Sequence, residues 1–118
     1  HGQRSYMSSA TPFLFQTATD QRLREYTELG LAGRFQEAEQ LARTLEPIRQ
    51  VHARWIAAPW RERRVIPIAY VKAWSELLGL AAGPVRLPLR QITDAERAAL
   101  RADLERVGLL APTATAPR

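Results

Sequence analysis

The chain contains no cysteine, one methionine, two histidines and one lysine, and each shortage removes a class of chemistry. Without cysteine there is no disulfide framework, no thiolate metal site and no thiol nucleophile. The histidines are His1, at the terminus, and His52, which has no carboxylate at helical spacing to orient it. A metal site needs two or three further ligands in register, so none is expected and His52 reads as a surface or packing residue. Glycine is sparse, and Gly30 and Gly33 lack the pattern of a phosphate-binding loop. No apolar run approaches the roughly 18 residues of a membrane-spanning helix. The opening HGQRSYMSSA has no basic stretch followed by an apolar one, so no secretory signal is read there. These absences lead to the expectation of a cytoplasmic protein with no membrane partner and no cofactor.

What is present fits one soluble globular domain, or part of a larger one: 118 residues, 46% hydrophobic and 25% charged. The net charge is +5, and Lys72 is the only lysine among 17 basic residues. The arginines are scattered, and the one dense group, RERR at 61–64, is interrupted by Glu62. It reads as a solvated loop between helices rather than a phosphate-binding patch, so no nucleic-acid partner is expected. The first residue is His1 rather than Met, as expected of a chain that has been processed, cut or expressed as a piece.

The hydrophobic pattern predicts about four helices and one leading strand. Residues 3–9 read as a short strand with no second strand to pair with it. Thr11 and Pro12 read as a helix start, with Phe13, Phe15, Ala18, Leu23, Tyr26 and Leu29 as its stripe and Gly30 and Gly33 as its end. A second helix carries Phe35, Ala38, Leu41, Leu45, Ile48, Val51 and Trp55, and Pro47 should kink or split it. AAPWRERRV, 57–65, reads as a loop. Pro67 opens a third helix that Gly79 closes. GPVRLPLRQI then forms a stiff strap, after which Thr93 and Glu96 match a capping box and Gly108 ends the fourth helix.

Few residues carry chemistry. Lys72 lies in the apolar helix IAYVKAWSELLGL, where a desolvated amine suits Schiff-base formation. With no second catalytic group near it in sequence, a structural role is expected, its stem along the helix and its ammonium on a carbonyl or in solvent. Arg86, between Val85 and Leu87, is expected to pin the strap by bidentate pairing. Glu37 with Glu39, and Asp103 with Glu105, are two apart, point to different sides of a helix and read as solvated faces.

Four segments in order carry a resemblance: HGQRSYMSSATPF, LAGRFQEAEQLARTLEPI, IPIAYVKAWSELLGL and VRLPLRQITDAERAALRADLERVGLL. Together they resemble the carboxyl-terminal part of the dihydrodipicolinate synthase / N-acetylneuraminate lyase family. The resemblance implies a (β/α)8 TIM barrel followed by a small helical domain. Residues 1–30 would be the last barrel strand and helix, 31–110 the carboxyl-terminal helical domain, and 111–118 a disordered tail. It further implies a lyase, an aldolase or dehydratase, whose barrel lysine forms a Schiff base with pyruvate or a related 2-keto acid. That lysine, a catalytic tyrosine and the keto-acid loop lie on earlier strands, so no catalytic residue is expected in this chain, which alone should be inactive. Arg4, Ser8 and Ser9 would lie beside the substrate, with RSYMSSA leaning toward the dehydratase branch. Lys72 matches a structural lysine, and the whole protein would be a homo-oligomer. The reading of another class is a free-standing helical interaction module. A non-specific nucleic-acid binder comes third, supported only by charge. A piece of a lyase would also expose apolar surface at Phe13, Leu14 and Phe15.

Overall fold

A computed structural model describes residues 11–112 of the chain, and these are mainly helical with no strand among them. The strand expected at 3–9 and the tail from residue 113 lie outside the described residues. The described residues begin with a 3-10 turn, Thr11–Phe15, followed by α1 (Arg22–Leu31) and α2 (Phe35–Thr44). Next come α3 (Glu46–His52), a π turn at Ala53–Ala57 and α4 (Ala58–Arg63). Helices α5 (Ile68–Leu77) and α6 (Asp94–Arg106) close the order, joined by the strap.

The helix expected from Pro12 to Leu29 is broken, and local hydrogen bonding explains the break. The Thr17 hydroxyl accepts from the Asp20 amide at 3.0 Å, and the Thr17 amide donates to the Asp20 carbonyl at 2.8 Å. These side-chain and turn bonds compete with the helical ladder, so a new helix starts only at Arg22. Leu14 and Phe15 are buried in the core, contrary to the expectation of an exposed patch, and Phe13 alone of the three is exposed. The buried Trp74 indole ties the turn down by donating to the Leu14 carbonyl at 3.0 Å.

At the expected Gly30–Gly33 stop, Gly33 adopts φ 76° and the Arg34 amide returns to the Leu29 carbonyl at 2.9 Å. This is a Schellman closure, and it folds α2 back along α1. Pro47 splits the second helix as expected, standing in the first turn of α3, where its missing donor costs nothing. The segment at 57–65 is not a loop. Pro59 occupies the first turn of α4, and the preceding π turn widens the ladder where a continuous α-helix would set the proline ring against a carbonyl. Arg64 ends α4 with φ 55°, while the Val65 amide reaches the Pro59 carbonyl at 3.0 Å.

The core draws Leu14, Phe15, Leu45, Ile48, Val51, Ala73, Trp74, Leu100, Leu104 and Leu109 from across the described chain. Helix α6 has the expected capping box: the Thr93 hydroxyl accepts from the Glu96 amide at 3.1 Å and the Glu96 carboxylate accepts from the Thr93 amide at 2.9 Å. Gly108, at φ 78°, ends it.

Candidate functional site

The polar chemistry of the described residues gathers where the strap crosses α5 and the start of α6. The strap has no regular ladder of its own, so side chains satisfy its backbone. From α5, the Lys72 ammonium donates to the carbonyls of Ala82 and Pro84 at 2.8 and 3.0 Å. The Gln91 side-chain amide pairs with Val85 as a strand neighbour would, donating to its carbonyl at 2.6 Å and accepting from its amide at 3.4 Å. Between strap and helices lies a cleft of about 280 Å³, lined by Lys72, Glu76, Val85, Gln91, Asp94 and Arg97 among others. Arg97 closes one side by pairing with Glu76 at 2.8 Å.

The residue that pins the strap is Arg90 rather than Arg86. Its guanidinium forks onto the Glu96 carboxylate at 2.8 and 2.9 Å and donates to the Tyr70 hydroxyl at 3.0 Å. Tyr70, buried on α5, in turn donates to Glu96 at 3.0 Å. Hydrogen bonds from Arg90 first, and from the Thr93 amide next, hold the Glu96 carboxyl far below the usual carboxylate range. One carboxylate therefore caps α6, binds the strap and fixes a tyrosine on α5. Arg86 is exposed, and its side chain makes no hydrogen bond or ion pair among the described residues. The difference is geometric. Arg86 begins a tight turn, its carbonyl accepting from the Leu89 amide at 3.0 Å, with Leu87 at the tip 93% exposed. Arg90 leaves that turn facing the capped end of α6.

A second cluster surrounds Asp103, which was read as part of a solvated face and is instead 7% exposed. Its carboxylate accepts from the Trp55 indole at 2.8 Å, from Arg54 at 3.0 Å and from Arg106 at 2.5 Å. Burial alone would raise this carboxyl, but the Trp55 and Arg106 hydrogen bonds and the two guanidinium charges leave it below its ordinary value. Buried and held by three donors, it serves as a structural anchor between α6 and the π turn. Glu37 and Glu39 are solvated as expected, each paired with an arginine on its own helix or cap.

His52 is a packing residue, with Phe15 at 5.6 Å and Trp74 at 6.3 Å between ring centres. Burial pushes its imidazole below the ordinary histidine value. Among the described residues no three His, Asp or Glu gather as a metal site. No described helix is long and apolar enough to cross a membrane.

Neither cluster combines a nucleophile, a base and an open cavity. Lys72 faces the cleft, yet two of its three donors are committed to carbonyls, and an iminium, with one N–H, would release at least one of them. Arg4, Ser8 and Ser9 lie outside the described residues, so the structure does not place them. Arg90 and Asp103 were missed because Tyr70, Trp55 and Arg54, which complete the two clusters, are distant in sequence. The one local signal was Arg90 lying just upstream of the capping-box glutamate.

Comparison with known proteins gives one kind of likeness. Over 43 residues the chain is 56% identical to an uncharacterized DapA-like lyase of Halobacterium salinarum, found in two strains. The likeness is to lyases. The matched segment is 36% of this chain and spans only 14% of each relative's length. No family model matches the chain, and no solved structure matches it.

Proposed function

We propose that this chain is the carboxyl-terminal part of a Schiff-base-forming lyase of the dihydrodipicolinate synthase type, acting on pyruvate or a related 2-keto acid. The observation that carries the reading is the 56% identity over 43 residues to DapA-like lyases. The helical architecture supports it, since a helical appendage is what the family resemblance implies for these residues. On this reading a barrel elsewhere in the parent supplies the lysine amine that condenses with the keto carbonyl and expels water. The resulting iminium takes up the electron pair released by C–C cleavage or by loss of an α-proton, and the enamine so formed returns the pair to a proton, to an aldehyde in addition, or to expel a β-hydroxyl as water in dehydration. Arg4, Ser8 and Ser9 are assigned to the substrate side of that site, with Arg4 facing an acidic group. Lys72 is structural, and the chain alone is inactive because geometry is not recovered without the barrel. The parent is taken as a homo-oligomer of the cytoplasm.

Borohydride trapping with pyruvate, read by intact mass, tests this on the chain and on the longer product of its gene. An adduct on the longer product alone supports the reading. An adduct that maps to Lys72 overturns the structural assignment of that residue. If neither reacts, the helical chain is an interaction module without catalysis.

A further inference from the structure

Among the described residues, two buried side-chain atoms lack a hydrogen-bond partner, Gln16 Oε1 and His52 Nε2. Such atoms are rare in native folds, and both belong to the joint that holds the Thr11–Phe15 turn. Gln16 directly follows Phe15, whose ring lies 5.6 Å from the His52 imidazole, and the Trp74 ring lies 6.3 Å from it. Trp74 also donates its indole N–H to the Leu14 carbonyl at 3.0 Å. From residue 12 to residue 37 only Leu14 and Phe15 are buried, so this joint is the main hold of the turn on the core. Both unpartnered atoms are already inaccessible within this chain, so a longer parent can cover the joint further without reaching them.

We propose that Phe15, His52 and Trp74 form a proton-operated latch, in which protonation of His52 releases the Thr11–Phe15 turn while the helical core stays folded. An imidazolium carries an N–H on both nitrogens. At Nε2 that donor would be buried with nothing to accept it, since the Phe15 ring has no acceptor and the indole N–H is itself a donor, already committed to Leu14. The charge also finds no counter-ion. The turn, TPFLF, has no titratable group. On α3, Glu46 and Arg49 pair with each other. On α5, Lys72 holds the strap carbonyls and Glu76 holds Arg97 of α6. After His52, Arg54 is held by Asp103 of α6, which also takes Arg106. Burial alone therefore lowers the imidazole, with no charge acting on it. The turn yields first because two side chains and one indole bond hold it, whereas α3, α5 and α6 share Ile48, Val51, Leu100 and Leu104 in the core. Opening lets the ring reach water, and proton uptake by the open form shifts the balance toward it as pH falls. The inference does not rest on the lyase reading.

The reporter is the Trp74 indole N–H, its deuterium exchange followed by NMR in the full 118-residue chain from neutral pH to about pH 5, relative to free tryptophan amide at each pH. Exchange is expected to speed about tenfold for each pH unit below 6.5 until the closed form is itself protonated. The amides of Leu100 and Leu104, within α6, should keep their protection. His52→Phe keeps a ring that takes no proton and should remove the acceleration. His52→Gln does the same with a smaller side chain, and circular dichroism verifies that each variant folds. The ring protons of His52, titrated in the same samples, should change over the same pH range as the indole. Indole exchange that ignores pH, that accelerates equally in the variants, or that departs from the His52 titration overturns the latch. So does exchange of the Leu104 amide in step with the indole, since protonation would then loosen the whole fold rather than the turn.

Discussion

The α1–α2 hairpin and the α5–α6 half hold together by opposite means. In the hairpin, α1 has no buried residue and α2 buries only Ala38. Most of its ion pairs are exposed and lie within a helix or at its cap: Arg24 with Glu28, Arg34 with Glu37, Arg43 with Glu39; across the hairpin Arg22, paired with Asp20, donates to the Thr44 carbonyl at 3.0 Å. In the other half, Trp74, Leu100 and Leu104 are fully buried, and the polar groups at the strap join residues distant in sequence. Exposed pairs contribute little, because water screens them and ordering two long side chains costs entropy. Burial of large apolar side chains contributes far more. The structure therefore concentrates its stability in α3, α5 and α6 and leaves the hairpin to follow.

That contrast can be broken first at Trp74. Trp74→Ala should cost about 3–5 kcal/mol by urea denaturation, since it opens a cavity and frees the Leu14 carbonyl. A cost like that of a surface change would remove the contrast. Next comes acid. Asp103→Asn should cost about 1–3 kcal/mol at neutral pH, through the buried carboxylate lost to Trp55 and two arginines.

The pH dependence has a definite sign. His52 and Asp103 both sit below their ordinary values of 6.5 and 3.8 in the folded chain. For each, the unfolded chain takes up the proton first as pH falls, so stability is present above the ordinary value and lost below it. Folding should weaken in two steps, the upper one abolished by His52→Phe and the lower one, which Glu96 and Asp20 share, reduced by Asp103→Asn. Urea midpoints across a pH series would show both steps; a midpoint flat from neutral pH to acid would contradict them.

Thr93→Ala should cost about 1 kcal/mol, by removing the hydroxyl that caps α6. Arg24→Ala in the hairpin should cost under about 0.5 kcal/mol, because its pair with Glu28 is exposed. If Arg24→Ala proved as costly as Thr93→Ala, the hairpin would have support that burial does not reveal.

The features legible in advance were those a short window contains. The capping box at Thr93 and Glu96, the Gly33 and Gly108 stops, the Pro47 split and the Pro67 start all act within one turn of helix, so spacing alone located them. The segment 57–65, expected as a loop, holds α4 with Pro59 in its first turn, because a proline fits a loop and a helix start alike and only the π turn before it distinguishes them. The helix from Pro12 was overextended, because its apolar stripe continues through a segment where Thr17 and Asp20 capture the backbone.

By itself, then, the sequence determined the mainly helical class, most helix ends, and the absence of cysteine chemistry, because each follows from local hydrogen bonding or composition. Only the tertiary structure decided that Arg90 rather than Arg86 holds the strap, that Asp103 is an anchor, and that Lys72 is spent on two carbonyls. Those assignments depend on groups separated by up to 49 residues. Which charge finds which partner is fixed by the packing of apolar faces, and spacing along one helix does not encode it.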